Sequence, residues 1–224
     1  MALEQTIEAD LSISPATDGV HIRCIFDNST LEFVHSFHDL GFFYKRVTTT
    51  NQGLLKACNN KQRSIRSLLD LTGGWGLDSF ILAQHGKQVT TLEQNKHLYS
   101  VILQSLNNAR LHSHSKAAAA RIELKRVNSL DFLNATDKRE DFDCIYLDPM
   151  FPDHKSGAKP AKEMQILQKL TGNLDIDDCF EKALERALKR VVVKRPAKSP
   201  TISSRKPDII YREKTIRFDV YLTA

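Results

Sequence analysis

The segment Asp148-Pro-Met-Phe151 joins a carboxylate, a proline and an aromatic ring, directly after the apolar run 142–147. If that run is a buried strand, these residues lie at the carboxyl edge of a sheet, where ligands bind in open α/β folds. The exocyclic amine of a nucleobase is a weak nucleophile, because its lone pair is delocalised into the ring. Asp148 can accept the N–H groups of such an amine, Pro149 fixes the backbone, and Phe151 can stack on an extruded base. We therefore predict that these three residues are catalytic. A turn beside a core aromatic residue is the alternative.

A glycine-rich loop, Asp70-Leu-Thr-Gly-Gly-Trp-Gly76, follows the apolar run 67–71. Glycines permit positive φ and close approach of the backbone to a ligand, and the first N–H groups of a following helix are available. Glu93 ends the next strand-like run, 17 residues after Gly76, where a carboxylate can accept both ribose hydroxyl hydrogens of a nucleotide-like cofactor. Ser79 replaces the last glycine of a G-x-G-x-x-G fingerprint, which weakens an NAD interpretation. The pattern predicts an adenosine-containing cofactor. A structural turn with an exposed acid is the alternative.

Together these motifs resemble those of a known enzyme family. The matching stretches are Asp70-Leu-Thr-Gly-Gly-Trp-Gly-Leu-Asp78, Leu92-Glu-Gln-Asn95, Asn128-Ser-Leu130, Tyr146-Leu-Asp-Pro-Met-Phe-Pro152, Val191-Val-Val-Lys-Arg-Pro196 and Arg217-Phe-Asp-Val-Tyr221. Over residues 66 to 222 the chain is similar to class I S-adenosylmethionine-dependent methyltransferases and, more narrowly, to the RsmJ family of 16S ribosomal RNA guanine-N2 methyltransferases. The resemblance implies methyl transfer from S-adenosylmethionine to the exocyclic N2 of a guanine in 16S rRNA.

The resemblance also implies a set of cofactor contacts that extends the glycine loop and Glu93. The predicted cofactor-binding residues are Asp70, Gly73, Gly74, Gly76, Leu77, Asp78, Glu93, Gln94, Asn128, Ser129 and Asp148. A contact from Leu77 must come from its backbone. The residues leave two alternatives open: methylation of an amino group on another nucleic acid or a protein, and an RNA-binding or ribosome-assembly protein without catalytic activity.

Positive charge is concentrated near the C-terminus of the chain. Residues 186–217 contain eleven basic and two acidic residues, whereas the whole chain has a net charge of only +5. An anionic partner fits this pattern, and a solvated basic surface is the alternative. The residues that we predict to bind RNA phosphates beside the pocket are Lys155, Lys159, Lys194, Arg195 and Lys198.

The elements that position these motifs follow from the order of apolar and amphipathic runs. Strands are predicted at 67–71, 88–93, 122–127, 142–147, 190–194, 209–211 and 215–222, and helices at 78–85, 95–110, 161–170 and 178–189. Asn95 is a candidate N-cap. This order predicts an α/β fold with a Rossmann-like class I methyltransferase sheet, mostly parallel with an antiparallel C-terminal hairpin. We predict a methyltransferase domain over 61–224. Residues 1–60 are predicted to form a small N-terminal β-containing subdomain and connector, with a hairpin around Asp27-Asn28-Ser29.

The composition excludes several classes of protein. With 224 residues, 41% of them hydrophobic and 26% charged, the chain is neither mainly disordered nor fibrous. Its four cysteines are far apart without a C-x-x-C pattern, which indicates reduced thiols in a cytoplasmic protein and no zinc site. His112, His114 and His154 have no metal-ligand spacing. No apolar run approaches the roughly 18 residues that cross a bilayer. We therefore expect neither a metal site nor a membrane segment.

Overall fold

The computed structural model describes residues 10–17, 19–26, 29–37, 52–59, 64–135, 142–150, 161–171 and 175–223. Its N-terminal part is a three-stranded antiparallel sheet in the order β1-β2-β3, made of β1 (Asp10–Ala16), β2 (Gly19–Phe26) and β3 (Ser29–His35). The β2–β3 pair agrees with the hairpin expected there, and the turn residues 27 and 28 lie outside the described residues. Strand β1 was not predicted. It contains Pro15, which removes a backbone donor and is tolerated because β1 is an edge strand.

A seven-stranded sheet follows in the order β6-β5-β4-β7-β8-β10-β9. Its strands are β4 (Ser67–Asp70), β5 (Gln88–Leu92), β6 (Ile122–Lys125), β7 (Phe142–Leu147), β8 (Ala187–Pro196), β9 (Ile209–Arg212) and β10 (Ile216–Leu222). Strands β4 to β8 are parallel, and β10 is antiparallel to both β8 and β9. This confirms the predicted Rossmann-like sheet with its C-terminal hairpin. The strand order reverses between β4 and β7, which is the position where such sheets bind ligands.

Four helices agree with the predicted amphipathic runs, except that residues 187–189, predicted as the end of the last helix, begin β8. Three short helices are additions. The helices are α1 (Gln52–Ala57), α2 (Leu77–Gln84), α3 (Lys96–Arg110), α4 (Lys116–Ala119), α5 (Ser129–Asn134), α6 (Lys162–Leu170) and α7 (Ile176–Arg186). Helices α1, α4 and α5 are the additions, and each has six residues or fewer, too short for a clear hydrophobic period. Asn95 is the N-cap of α3, because its Oδ1 accepts the N–H groups of His97 at 2.9 Å and Leu98 at 3.2 Å.

Apolar side chains bury both faces of the large sheet. One core cluster joins Leu68, Tyr146 and Phe218 of the sheet to the helix residues Phe80 and Ile102, and the other joins Leu69, Ile145, Val193 and Tyr221 to Phe180 of α7. All six residues of β7 are buried, as expected for a central parallel strand. Helix α1 belongs to the predicted N-terminal subdomain and connector, yet its Leu54 and Ala57 pack in the core of the large sheet. The division of the chain at residue 60 stays a prediction.

Candidate cofactor pocket and active site

The glycine loop connects β4 to α2 at the carboxyl edge of the sheet. Gly74 and Gly76 have φ values of +54° and +74°, a region that L side chains rarely adopt. A Cβ on Gly73 would lie 2.8 Å from the carbonyl oxygen of Leu92, so a side chain there would push the loop away from β5. Trp75 packs against Phe33, with ring centroids 5.2 Å apart. The loop therefore depends on glycine at three closely spaced positions.

Glu93 follows β5 directly and fastens the glycine loop to the start of α3. Its Oε2 accepts the Gly74 N–H at 2.8 Å, and its Oε1 accepts the Asn95 N–H at 2.7 Å. The side chain is buried, and burial raises its pKa to about 7 although both hydrogen bonds favour the charged form. A carboxylate oxygen can accept more than one hydrogen bond, so both oxygens retain capacity for ribose hydroxyls. Glu93 is thus not the exposed strand-end acid of the alternative interpretation.

Asp70 supports the loop from the interior of the protein. Its Oδ1 accepts the Thr72 N–H at 2.9 Å, and its Oδ2 accepts the Ser79 hydroxyl at 2.5 Å. Ser79, which replaces the last glycine of the dinucleotide fingerprint, also accepts the Thr91 hydroxyl at 2.8 Å. Burial raises the pKa of Asp70 to about 6. Because Asp70 is only 1% exposed, its contribution to a cofactor site is to hold the loop in shape.

A charged cluster joins the ends of β7 and β8 to the first turn of α2. The ammonium of Lys194 donates to Asp148 Oδ2 at 2.7 Å and to Asp78 Oδ2 at 2.9 Å. The Tyr146 hydroxyl donates to the same Asp78 oxygen at 2.6 Å. Burial opposes the charge on Lys194, but Asp148 and Asp78 outweigh it and raise the pKa of Lys194 above its ordinary value. Burial in turn raises the pKa of Asp148, and Lys194 opposes that shift.

Thr72 connects the glycine loop to the predicted catalytic residue across the reversal point of the sheet. Its hydroxyl accepts the Asp148 N–H at 2.7 Å and donates to Asp70 Oδ1 at 3.3 Å. Neither Thr72 nor Tyr146 was among the residues predicted for the site. No local pattern marks Thr72. For Lys194, the signal in the sequence was its position at the end of the predicted strand 190–194.

Gln94, Asn128 and Ser129 come together next to Glu93. The side-chain amide of Asn128 donates to Gln94 Oε1 at 2.7 Å, and Ser129 donates to the Leu71 carbonyl oxygen at 2.5 Å. No helix was predicted here, but Asn128 is the N-cap of α5, because its Oδ1 accepts the N–H groups of Leu130 and Asp131. The Asn at the helix start was the available signal.

The predicted RNA-binding residues are placed very differently from one another. Lys198 is exposed in the turn after β8, whereas Lys155 and Lys159, like Phe151, lie outside the described residues. Arg195 is buried and donates through Nη2 to the Pro200 carbonyl oxygen at 2.6 Å. The prediction of a phosphate contact from Arg195 is therefore corrected, because its guanidinium is used inside the protein.

Two further predicted site residues, Pro149 and Leu77, lie at the same edge of the sheet. Pro149 is buried after β7, and Leu77 is the first, half-buried residue of α2.

Within the described ranges, no group of three or more His, Cys, Asp or Glu side chains could hold a metal ion. None of the described helices combines the length and the apolar character that a membrane span requires.

The acceptor groups of this edge fit S-adenosylmethionine. That cofactor presents a sulfonium, an ammonium, two ribose hydroxyls and an adenine amine, which are cationic or hydrogen-bond donors, together with one carboxylate. The edge of the sheet supplies the carboxylates of Asp78, Glu93 and Asp148 and the side-chain amides of Gln94 and Asn128. The cluster of Lys194 with two carboxylates has a net charge of −1, which suits a cationic ligand.

Comparisons with known proteins agree with this fit. A family model described as "Putative SAM-dependent methyltransferase" matches residues 2–223. Ribosomal RNA small subunit methyltransferase J of Thioalkalivibrio sulfidiphilus is 37% identical over 185 residues, which cover 82% of this chain and 72% of that protein. The protein of the same name from Desulfotalea psychrophila is 35% identical over 210 residues, covering 93% and 77%.

Solved structures place the fold in the same group. A SAM-dependent methyltransferase from Neisseria gonorrhoeae superposes with a TM-score of 0.70 at 29% identity, covering 93% of this chain and 85% of that chain. An rRNA methyltransferase from Streptomyces viridochromogenes has a TM-score of 0.52 at 12% identity over 79% of this chain and 83% of its own, which shows a shared fold alone. The family model, the curated relatives and the earlier motif resemblance all agree. The chain belongs to the ribosomal RNA small subunit methyltransferase J family of SAM-dependent methyltransferases.

Proposed function

We propose that this protein transfers a methyl group from S-adenosylmethionine to the exocyclic N2 of a guanine in 16S rRNA. The names of its relatives support methylation of small-subunit rRNA. The observation that carries the choice of an amine is the Asp148 carboxylate at the end of β7, which is 27% exposed and fixed by Lys194. We infer that the partner is 16S rRNA or the small ribosomal subunit, and that the protein acts in the cytoplasm.

The cofactor roles follow the chemistry of each acceptor. When bound, S-adenosylmethionine supplies an electrophilic methyl group on a cationic sulfur. Glu93 would accept the ribose hydroxyls, and Gln94, Asn128 and Ser129 would line the adenine edge. Gly73, Gly74 and Gly76 would let the backbone approach closely, with Leu77 contributing only its N–H. Asp78 would face the cationic part of the cofactor.

Asp148 has the central role in the proposed transfer. Its carboxylate would accept an N–H of the target amine, orient the nitrogen towards the methyl group and stabilise the positive charge that develops on that nitrogen. Pro149 limits movement of the backbone beside it. Stacking of Phe151 on the base stays a prediction. Positioning and electrostatics would supply most of the acceleration, because the amine needs no prior loss of a proton.

Product mapping tests the proposal directly. Small subunits and free 16S rRNA from a strain lacking the enzyme would be incubated with labelled S-adenosylmethionine, and the modified nucleoside identified by mass spectrometry. We expect N2-methylguanine at one position, with no label from the Asp148→Ala protein. Label on another base, on tRNA or on ribosomal protein would refute the proposed target. Cofactor binding without any transfer would favour a binding protein.

A further inference from the structure

We propose that Lys194 determines base specificity by donating a hydrogen bond to guanine O6 while Asp148 accepts hydrogens from N1 and N2. The proposal rests on the function proposed above, and it assigns Lys194 to the base in place of an RNA phosphate. It is carried by the arrangement of one ammonium and two carboxylates at the carboxyl edge of the sheet.

The register of the sheet fixes Lys194 beside Asp148. Leu147 of β7 pairs with Val193 of β8, so the next residues on the two parallel strands are neighbours. The Lys194 ammonium lies 2.7 Å from Asp148 Oδ2 and 2.9 Å from Asp78 Oδ2. Tyr146 anchors Asp78 from the interior through a hydrogen bond of 2.6 Å. Lys194 is therefore held in a defined position and is not a freely moving surface lysine.

The cluster retains a donor and is accessible to a ligand. An ammonium has three N–H donors, and among the described residues the two carboxylates use two of them. The side chains of Lys194, Asp78 and Asp148 are 23%, 19% and 27% exposed. The third N–H can thus reach an acceptor on a molecule that enters the cleft.

The charge of the cluster favours a neutral acceptor over a phosphate. A phosphate that approached the Lys194 ammonium would also approach the Asp78 and Asp148 carboxylates, each within 3 Å of that nitrogen. Two negative charges would then repel it, against one positive charge that attracts it. A base carbonyl carries no net charge and avoids this repulsion. The ammonium is consequently better suited to a nucleobase than to the RNA backbone.

The order of donors and acceptors selects guanine among the bases that carry an exocyclic amine. The Watson–Crick edge of guanine presents the N2 amine, N1–H and O6, which are donor, donor and acceptor. The two oxygens of Asp148 and the adjacent Lys194 ammonium present acceptor, acceptor and donor in the same order. Adenine and cytosine place a ring-nitrogen acceptor next to the amine. That acceptor would face a carboxylate oxygen and be left unpaired, which is costly.

A cycle of enzyme and substrate variants tests this assignment. Once the methylated nucleotide is mapped, reconstituted subunits would carry either guanine or 6-thioguanine there. The thio base keeps N1–H and the N2 amine but replaces O6 with a weaker acceptor. Wild-type enzyme should transfer methyl to the thio substrate roughly tenfold more slowly, as expected for weakening a hydrogen bond from a charged donor. Lys194→Met should be slow on both substrates, with nearly equal single-turnover rates.

The outcomes separate this inference from the proposed function. If Lys194→Met keeps the wild-type ratio between the two substrates, Lys194 does not contact O6 and only positions Asp148. If the wild-type enzyme places no methyl group on guanine N2, the proposed function fails instead. Lys198→Met, a neighbouring exposed lysine, should keep the wild-type ratio. Thermal melting and cofactor affinity would establish that Lys194→Met folds, and Lys194→Gln would replace it if it does not.

Discussion

At the scale of single residues, the site uses carboxylates of one chemical type in different environments. Asp70 is buried and bonded to the glycine loop, Glu93 is buried with two backbone partners, and Asp148 is paired with Lys194 at an open edge. Environment, and not residue type, therefore distinguishes Asp70, which supports the loop, from Glu93, the proposed ribose acceptor, and from Asp148, the proposed acceptor of the target amine.

Replacing the Asp148 carboxylate should impair catalysis far more than folding. In Asp148→Asn, one acceptor oxygen becomes an amide donor that faces the N–H groups of the target amine. We expect methyl transfer to fall by roughly 100-fold, the usual effect of removing one well-placed electrostatic group. Single-turnover transfer to small subunits measures this. Glu181→Gln, at an exposed acid on α7, should keep wild-type rates. A loss under about threefold for Asp148→Asn would contradict the role assigned to Asp148.

Glu93 should make cofactor affinity depend on pH. Burial raises its pKa to about 7, and only the ionised form offers both oxygens to ribose hydroxyls. Affinity should therefore rise with pH through about 7, by roughly tenfold between pH 6 and pH 8. Titration calorimetry over this range measures the effect, and Glu93→Gln should bind more weakly with a flat profile. A flat wild-type profile would show that Glu93 does not titrate on binding.

The raised pKa of Glu93 also affects the free energy of unfolding, and this effect depends on pH in the opposite direction. Because the folded state raises the pKa of Glu93 above its ordinary 4.5, the folded protein binds more protons than the unfolded chain between about pH 4.5 and 7. The contribution of Glu93 to the free energy of unfolding consequently decreases as pH rises through that interval. Tighter cofactor binding at pH 8 should therefore not be attributed to a more stable apo protein.

At the scale of elements, Arg217 of β10 fixes the path of the chain after β8. Its guanidinium forms a two-pronged pair with Asp219, at 2.8 and 3.0 Å, and both side chains are buried. It also donates to the carbonyl oxygens of Ala197 at 3.1 Å and Ser199 at 2.7 Å. One buried side chain thus holds the turn that carries Lys198 against the end of the sheet.

Removing this arginine should be strongly destabilising. Arg217→Met leaves the Asp219 carboxylate buried without its cation, so we expect the free energy of unfolding to fall by about 3–5 kcal/mol in denaturant titrations. The matched control is Glu32→Gln, which breaks the 2.9 Å pair with Arg23 on an exposed part of the N-terminal sheet. It should cost under about 1 kcal/mol. Similar losses for both variants would disagree with a stabilising role for the buried pair.

At the scale of the whole molecule, the fold divides the basic C-terminal segment between two edges of the sheet. Pro196 of β8 pairs with Ile216 at the carboxyl edge, so Lys198 and Lys214 lie on the side of Asp148. Strand β10 ends at the opposite edge, where Arg205 donates to the Leu222 carbonyl oxygen at 2.8 Å. Only part of the charge excess can therefore contact RNA that is bound at the pocket.

This division predicts which lysines contribute to RNA affinity. The double variant Lys198→Ala/Lys214→Ala should weaken binding to 16S rRNA and reduce the slope of log affinity against log salt by up to about 2, the loss of two phosphate contacts. Lys206→Ala/Lys116→Ala removes the same charge near the other edge and should change the slope little. Cofactor affinity should be unchanged in both. Equal effects on RNA would indicate general attraction by the net charge.

The amino-acid sequence by itself determined the order of the seven strands of the large sheet and of its four longer helices along the chain, and the motifs at their ends. This was possible because parallel strands bring their carboxyl ends to one edge, so Asp70, Glu93 and Asp148 had to converge once their runs were recognised as strands. The N-cap role of Asn95 is likewise local, since it depends on residues two and three positions away. The short helix α5 was missed because six residues show no clear period.

Only the tertiary structure decided the roles of Lys194 and Arg195. They are adjacent in sequence, but neighbouring residues of a strand point to opposite faces of the sheet. Lys194 reaches Asp148, 46 residues away, whereas Arg195 faces the interior and bonds to the Pro200 carbonyl oxygen. Which face borders the pocket depends on the pairing of β8 with β7 and β10, and therefore on long-range register. A sequence pattern shows that two adjacent basic residues end a strand; the packed sheet selects the one that reaches the site.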